Sequence, residues 1–554
     1  MEVIKFEPPG PGLWRLDRSH YPGGTSPVMQ ELISEAMEGV FRREWANFGI
    51  PLETMSVEFV NGFFYSRMRP LISPDRPASK PPPFIALWLV SRLHPEFRRR
   101  EKAAKNSLED QKSYEVIRAW NEEGKPSLIQ KNLNFQDIDL VNLDDSSLGV
   151  HLSNLIKHLR DTFDEHFRLH CYDLPPIGHL LAEGPYWGIP SHELVTLLVG
   201  ASPSTSEPIR ALKEIATEIR CSGITPSSLE ELAAISESIS EKLDNYLRFH
   251  GSVLYSGYDV DSPTLNESPE VLLATILASD RHKIVTTQEL DSEISKVRTK
   301  IPTEDHERFE ILLSEARKAM DLRDDNGPLT IEWPSGLLRL AMLETGSRLS
   351  QSGRITEESH IFELTTYELV EIISTGNGPS ANELSERAVV RSHQKTLDPP
   401  TTLGKPEMPP SLDALPRHLG IAVNLVQTVV SEMGMDEGVT DRDKDPVQGL
   451  FGVGIGTDVL VQRARVAENA HEAFEKLRSG EILVTRTTSP AFNVTLALAG
   501  GLVTEEGGPM CHAAVLSREL GLPAVIGVVG ALEVIEDGAL IEVDPGRGYV
   551  RVLE

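Results

Sequence analysis

GLVTEEGGPMCHAAVLSRELGLPAVIGV, residues 501–528, is the stretch that decides how the C-terminal part of this chain folds. A strand is predicted to end near Thr504, and the pair Gly507-Gly508 indicates a tight loop. The pattern then predicts a helix from His512 to Gly521, with Pro523 beyond its end. His512 is therefore expected at the N-terminus of a helix.

A histidine in this position suits phosphoryl transfer. A neutral imidazole nitrogen is nucleophilic near pH 7, and the N–P bond that it forms is labile enough to pass the group onward. Free amide groups at a helix N-terminus stabilise a dianionic phosphoryl group, and Gly507 and Gly508 let the backbone approach it. The alternative is a histidine that only begins a helix, which is the better interpretation of a lone histidine.

Other motifs surround His512, namely Ala513-Ala514, RELGLPAV at 518–525, GEILVTRTTSP at 480–490 and VDPGRGYVRVL at 543–553. Together they resemble the mobile domain shared by phosphoenolpyruvate synthase, pyruvate phosphate dikinase and rifampin phosphotransferase. The resemblance implies a swivelling β/α domain in which His512 is the phosphorylated residue. It also implies that Gly507, Gly508 and Cys511 form the loop around the phosphoryl group, with Cys511 packing the loop rather than acting as a nucleophile.

The chain of 554 residues is too long for one domain of about 150 residues. We expect a multidomain α + α/β protein: a mainly helical substrate-binding domain at 1–380, a linker with one helix at 381–447, and the swivelling domain at 448–554. The helix of the linker is placed at about Leu412 to Met433. Within the first domain, Val57–Tyr65 surrounds Asn61-Gly62 and predicts a small hairpin.

Composition excludes several classes of partner. The formal charge of −29 repels nucleic acid and anionic lipid, so neither is expected as a partner. No apolar run approaches the ~20 residues of a membrane span. The start of the chain lacks the order of a secretory signal, and the sequence contains 3 cysteines, so a cytoplasmic protein is expected.

The helical region carries a second resemblance, on RSHYPGGTSP at 18–27, LLVGASPSTSEPIRAL at 197–212, ARKAMDLRDDNG at 316–327 and GLLRLAMLETGSRLSQSGRI at 336–355. These segments resemble the substrate-binding domain of rifampin phosphotransferase and the carrier subunit of phenylphosphate synthase. The order of the domains, helical part first and carrier last, is also that of these two families. The resemblance implies that the acceptor site lies on this chain.

Each candidate residue of that acceptor site also has an interpretation without a functional role. Arg323, Asp324 and Asp325 lie where the family has a charged segment and are candidates for contact with the phosphoryl group; a solvated turn is the alternative. Arg339 and Arg348 have the same status. The last candidates are His166 and His170, four residues apart, with His179 following nearby. They could supply a general base or a metal ligand. Because no third ligand is evident, ordinary surface or core histidines are favoured and no metal is expected.

These resemblances predict a two-component, ATP-dependent phosphotransferase. ATP and Mg²⁺ are expected on a separate ATP-grasp subunit, because no region shows the alternating strands and helices of that fold with a glycine-rich phosphate loop. No pyruvate-binding barrel is expected after the carrier domain. The expected acceptor is a small-molecule hydroxyl, first of all a phenol or alkylphenol. The alternatives are an antibiotic or natural-product hydroxyl, and a phosphocarrier that serves another protein or a regulatory role.

Overall fold

The computed structural model describes residues 4–76, 80–279, 286–408, 411–434, 450–489 and 492–553. Helices dominate up to residue 432, and short strands alternate with short helices from residue 450 onward. The expected fold class, a mainly α-helical part followed by a C-terminal β/α part, is confirmed.

Two sheets lie within the described ranges. The strands are β1 (Leu13–Leu16), β2 (Leu52–Val60), β3 (Phe63–Pro70), β4 (Thr402–Gly404), β5 (Leu450–Phe451), β6 (Val453–Ile455), β7 (Leu460–Val466), β8 (Ile482–Thr485), β9 (Gly501–Thr504), β10 (Ala524–Ile526), β11 (Leu540–Asp544) and β12 (Tyr549–Val552). The first sheet has the order β2-β3-β1-β4, and the second has the order β5-β12-β11-β7-β8-β9-β10-β6.

The helices are named in two groups in chain order, one between residues 27 and 250 and one between residues 269 and 534. The first group is α1 (Pro27–Phe48), α2 (Phe84–Leu93), α3 (Pro95–Glu109), α4 (Lys112–Ala119), α5 (Lys125–Gln136), α6 (Asp145–His170), α7 (Leu174–Trp187), α8 (Ser191–Thr196), α9 (Pro203–Ser222), α10 (Leu229–Ala233) and α11 (Glu237–His250). The second is α12 (Pro269–Ala278), α13 (Thr287–Arg298), α14 (His306–Gly327), α15 (Trp333–Gln351), α16 (Thr366–Thr375), α17 (Ala381–Gln394), α18 (Arg417–Glu432), α19 (Ala470–Lys476), α20 (Asn493–Leu498), α21 (His512–Leu520) and α22 (Ala531–Val534).

Short turns of other helix types interrupt or join these elements. Five-residue π-helical turns occur at Trp120–Gly124 and Pro328–Glu332. Turns of 3₁₀ helix occur at Leu265–Glu267, Thr303–Asp305, Glu358–Glu363 and Leu412–Ala414.

The chain divides into two compact units. Unit 1 comprises residues 1–173, 258–262 and 326–424, and unit 2 comprises residues 174–257, 263–325 and 425–554. The segment predicted as a linker with one helix contains both α17 and α18, and residues 435–449 lie outside the described residues. The predicted domain boundaries at 380 and 447 stay predictions.

Unit 1 is built around α6. The buried residues Leu148, Leu152, Leu155, Leu159 and Phe163 follow one another at three to four positions, so they form one apolar stripe on this helix. The helices α1, α15 and α16 pack against α6, and β2 packs on α1. The antiparallel first sheet thereby covers one side of the helical core.

The predicted hairpin is confirmed as β2 and β3, which pair in antiparallel register from Leu52 with Pro70 to Val60 with Phe63. The two turn residues, Asn61 and Gly62, have φ of 52° and 78°. A two-residue turn with both φ values positive matches the right-handed twist of the strands, and Asn-Gly adopts it at little cost.

Unit 2 contains the second sheet, whose strands β7, β8, β9 and β10 run parallel. Every residue of β8, β9 and β10 is buried, as expected of strands covered on both faces. Parallel strands need crossover connections, and here these contain α19, α20 and α21. The loops that follow β8 and β9 therefore lie at the same edge of the sheet.

Replacing Gly62 with alanine should lower the free energy of unfolding by about 1–2 kcal/mol, because a left-handed φ is unfavourable for alanine. The new Cβ would also lie 2.6 Å from Oε1 of Gln394. Urea denaturation measures the change. The control is Gly39→Ala, an exposed helical position with nothing within 4 Å, where a small gain in stability is expected. Equal effects of the two substitutions would contradict the turn assignment.

Candidate functional site

His512 is the first residue of α21, as the sequence predicts. Cys511 precedes the helix with extended backbone angles, and Gly521 ends it in the left-handed conformation. The strand β9 ends at Thr504, so the loop 505–511 connects a buried strand to the start of the helix. The His512 side chain is half-buried at the edge of the sheet where β8 and β9 end.

Both ring nitrogens of His512 have hydrogen-bond partners. Nδ1 lies 2.8 Å from Oγ1 of Thr488, in the loop that follows β8. Nε2 lies 2.9 Å from Oδ1 of Asn493, the first residue of α20. Thr488 is buried and Asn493 is exposed, so the Nδ1 side of the ring is enclosed and the Nε2 side is accessible.

The two partner atoms determine which ring nitrogen of His512 carries the proton. A neutral imidazole carries one proton, and the nitrogen without it has the reactive lone pair. An amide oxygen only accepts, so in this conformation Nε2–H donates to Asn493 Oδ1 and Nδ1 accepts from the Thr488 hydroxyl. Phosphorylation at Nε2 requires the exposed Asn493 side chain to move away and the ring proton to shift to Nδ1, where the Thr488 hydroxyl can accept it.

The glycine loop differs from the sequence expectation in one respect. The Gly508 N–H group donates to the Met433 carbonyl oxygen at 3.1 Å, and the Met510 N–H group donates to that of Glu432 at 2.9 Å. A Cβ at position 508 would lie 2.5 Å from the Glu432 carbonyl oxygen. In this conformation the Gly508 amide therefore holds the chain after α18 against the loop and is not available to a phosphoryl group.

Gly507 and Cys511 pack against each other. Gly507 has a φ of 114°, and a Cβ there would lie 2.8 Å from the Cys511 sulfur. Burial raises the pKa of the Cys511 thiol, although the amide groups of Ala514, Gly508 and Ala513 oppose this effect. A thiol that stays protonated is a poor nucleophile, which agrees with a packing role for Cys511.

Two residues of the RELGLPAV segment anchor the loop and the helix. The Arg518 guanidinium donates to the Pro509 carbonyl oxygen at 2.6 Å. Glu519 accepts a hydrogen bond from the Gly200 N–H group at 2.6 Å. Burial lowers the pKa of Arg518 to about 10, so the side chain is still charged near neutral pH. These charged residues position α21.

The structure brings Arg323 and Asp324 to the neighbourhood of this loop within unit 2. The Arg323 guanidinium lies 3.3 Å from the sulfur of Met433, the residue whose carbonyl group holds Gly508. Asp324 accepts a hydrogen bond from the Thr205 hydroxyl at 3.3 Å. Burial raises the pKa of Asp324 to about 7, and Arg323 opposes that shift. Asp325 is buried.

The arginines of unit 1 make structural contacts. Arg339 is buried, donates to the Val260 carbonyl oxygen at 3.0 Å and lies 5.2 Å from the Phe362 ring. Arg348 donates to the carbonyl oxygens of Leu140 and Leu143 and pairs with Glu344 and Asp145, so it ties down the segment before α6. Nothing in these contacts indicates a role in phosphoryl binding.

The candidate histidines have ordinary partners. The rings of His166 and His170 lie 4.5 Å apart, His166 Nδ1 is 3.0 Å from the Thr330 hydroxyl, and His170 Nδ1 is 2.9 Å from Asp173. Burial lowers the pKa of His166 and, in unit 2, that of His179. Within the described residues, no group of three or more His, Cys, Asp or Glu side chains is arranged to hold a metal ion. The same residues contain no helix long and apolar enough to span a membrane.

Comparison with known families identifies the domain that contains this site. Residues 477–548 match the family model of the PEP-utilising enzyme mobile domain. The match covers β8 to β11 and includes His512, Thr488 and Asn493. This segment of the chain is therefore similar to the mobile domain of PEP-utilising enzymes.

Individual relatives extend the similarity. The rifampicin (rifampin) phosphotransferase of Streptomyces sviceus is 28% identical over 341 residues, which are 59% of this chain and 36% of the relative. That of Bacillus subtilis is 32% identical over 38% of this chain and 21% of the relative. The phosphoenolpyruvate synthase of Aeropyrum pernix is 41% identical over 99 residues, which are 18% of this chain and 12% of the relative. The chain thus spans well under half the length of these relatives.

Among solved structures, an NMR structure of Enzyme I is similar at 12% identity, covering 65% of this chain and 77% of the other, with a TM-score of 0.15. At that score the likeness carries no argument about fold or function.

Sequence reasoning missed Thr488 and Asn493 as partners of His512. The signal for Thr488 was present, since it lies in the motif at 480–490 that supports the family resemblance. Asn493 follows that motif, and its contact with His512 arises only when α20 is placed beside α21. The loss of either contact is testable.

Replacing Thr488 with valine keeps the shape of the side chain but removes the hydroxyl group at Nδ1. We expect His512 to react about tenfold more slowly with phosphoramidate, a small phosphoryl donor, because one hydrogen bond that orients the ring is lost. Phosphorus NMR of the purified chain measures the phosphohistidine formed. Thr487→Val, at the neighbouring position, is the control and should react like the wild type. A Thr488→Val rate equal to that of the control would argue against the ring-orienting role.

Proposed function

We propose that this chain is the carrier and acceptor-binding part of a phosphotransferase. In this proposal His512 takes a phosphoryl group from a donor and passes it to the hydroxyl group of a small molecule. The observation that carries the proposal is the His512 ring at the start of α21, with Nδ1 held by buried Thr488 and Nε2 on the accessible side. Nε2 becomes available for phosphorylation when the exposed Asn493 side chain moves away and the ring proton shifts to Nδ1.

The extent of similarity to rifampicin phosphotransferase supports the acceptor-binding part. The 341 aligned residues of the Streptomyces sviceus relative far exceed what residues 448–554 can supply. The similarity therefore includes much of the helical region. A carrier that serves only another protein does not need a helical region of this size, so we favour a small-molecule acceptor.

The acceptor that the relatives favour is an antibiotic or other natural-product hydroxyl, since rifampicin is the compound in their names. A phenol or alkylphenol, which the resemblance to phenylphosphate synthase led us to expect first, becomes the competing acceptor. The relatives reported above name no phenol. A comparison of rifampicin, phenol and 4-cresol as acceptors separates the two classes.

The donor in this proposal is ATP, bound with Mg²⁺ by a separate ATP-grasp polypeptide. The described residues of this chain do not form a metal site, so no step on this chain is assigned to Mg²⁺. The overall reaction converts ATP, water and the acceptor hydroxyl into AMP, phosphate and the phosphorylated acceptor. Phosphohistidine at position 512 is the intermediate that links the two half-reactions.

The test mixes the purified chain with a candidate ATP-grasp polypeptide and ATP labelled at the β-phosphoryl group. Wild-type chain should gain an acid-labile, base-stable label that rifampicin, phenol or 4-cresol removes as a phosphorylated product. His512→Ala should gain none, because the nucleophilic nitrogen is absent. Circular dichroism checks that the variant is folded.

The outcomes distinguish the parts of the proposal. Label that leaves only with rifampicin supports an antibiotic acceptor, and label that leaves only with phenol or 4-cresol supports the phenol class. Label that none of the three removes supports a carrier without such an acceptor site. Equal labelling of the His512→Ala variant would refute the carrier role itself.

A further inference from the structure

Unit 1 contains a buried carboxylate that its structural surroundings do not explain. Glu332 ends the π-helical turn Pro328–Glu332, and its residue surface is 6% exposed. Its Oε1 atom is buried and has no hydrogen-bond partner among the described residues. A buried carboxylate without such a partner is costly, so its presence suggests a function. A π turn within a helix is also a frequent feature of functional sites.

Space for a methyl-sized group lies beside this carboxylate. A Cβ built on Gly327 would lie 3.5 Å from Oε1 of Glu332, which is ordinary van der Waals contact. Beyond the local helix backbone and the neighbouring residues, no other described atom lies within 4 Å of that position. Gly327 therefore leaves a gap of at least methyl size beside the Glu332 oxygen.

The other polar groups of this region come from separate segments of unit 1. Burial raises the pKa of Glu332, and the charge that His20 carries when protonated opposes this rise. The His20 side chain is 45% exposed, although its ring lies 5.2 Å from that of Tyr258. The negative charge of Glu332 in turn helps to raise the pKa of buried Tyr258, after burial itself. On α6, the His166 ring is hydrogen-bonded to Thr330 of the same π turn. Burial lowers the pKa of His166, and His20 adds to that effect. The cluster thus opens to solvent at His20.

We infer that Glu332 is the general base that takes the proton from the acceptor hydroxyl, and that this hydroxyl occupies the gap between Gly327 and Glu332. The inference rests on the proposed function and names the base that the transfer requires. A hydroxyl group is a weak nucleophile until its proton is removed, and a carboxylate in a dry surrounding removes it effectively. Burial raises the pKa of Glu332 to about 8, closer to that of a phenol near 10.

In the proposed transfer step, the bonds that break are matched by bonds that form. The O–H bond of the acceptor breaks and its proton goes to the Glu332 carboxylate. The oxygen electron pair forms the new O–P bond while the N–P bond of phosphohistidine breaks, and that electron pair returns to the imidazole nitrogen. Glu332 then releases the proton to solvent.

The first test is Glu332→Gln, which keeps size and shape but cannot accept the proton. Its rate of phosphoryl transfer from labelled His512 to the acceptor should fall about 100-fold or more. Labelling of His512 should match that of the wild type. In the wild type the transfer rate should rise with pH up to about 8, because only the ionised carboxylate is a base; in Glu332→Gln this rise should be absent. Glu332→Asp should restore part of the rate.

A matched control is available in the same unit. Glu44 is also 6% exposed, but its two oxygens accept hydrogen bonds from Arg43 at 2.8 Å and from the Tyr172 hydroxyl at 2.9 Å. Glu44→Gln should leave the transfer rate and its pH dependence unchanged at a temperature where the variant is folded. An equal loss of transfer in both variants would assign Glu332 to structure rather than to catalysis.

A second variant tests the gap without touching the carboxylate. Gly327 is helical, so Gly327→Ala should be at least as stable as the wild type. The added methyl group fills the space beside Glu332 and should raise the KM for the acceptor at least tenfold while His512 still becomes labelled.

Wild-type transfer in Gly327→Ala or in Glu332→Gln would overturn the inference and leave the proposed function standing. Failure of the wild type to label at His512 would instead refute the proposed function; a labelled wild type that binds and phosphorylates none of rifampicin, phenol and 4-cresol would overturn the acceptor site.

Discussion

The parallel pairing of β8 and β9 is the constraint on which the phosphohistidine site depends. Thr485 pairs with Thr504, so the two strands end at the same level and their loops leave at one edge of the sheet. One loop contains Thr488, and the other leads into α21 and His512. A ring nitrogen and a hydroxyl group that are 24 positions apart in the chain thereby meet at hydrogen-bond distance. The buried strands below supply the rigidity that a group-transfer site requires.

The glycine loop shows how the same sequence feature can serve a different interaction from the one expected. Close approach of a phosphoryl group and close approach of another backbone segment both require the absence of a side chain. In this conformation the second applies to Gly508, whose amide group bonds to the carbonyl oxygen of Met433. The loop is therefore stabilised by the chain that follows α18, and the accessible face of His512 is the Nε2 side rather than the loop side.

Sequence reasoning reached the local elements around His512 because their signals are local. The glycine pair, the helix start at His512 and the end at Gly521 all follow from backbone preferences of single residues, and the structure confirms the helix bounds. The same holds for the Asn61-Gly62 turn. Arg339 and Arg348 in the helical part were candidates for phosphoryl binding, but both donate hydrogen bonds to backbone carbonyl groups. A charged residue in a sequence does not reveal which atoms its side chain will contact. Glu332 carried no signal at all, because an isolated glutamate in a helical pattern is ordinary.

The sequence by itself determined the class of fold, the position of His512 at the start of a helix and the resemblance to a phosphohistidine domain, since these depend on residues close together in the chain. Only the tertiary structure decided which side chains hold the His512 ring and which glycine amide is hydrogen-bonded to another backbone segment. It also decided that Glu332 is buried beside a gap at Gly327. Those facts depend on contacts between distant segments, and hydrogen bonding and desolvation act on the atoms that come together in space, whatever their separation along the chain.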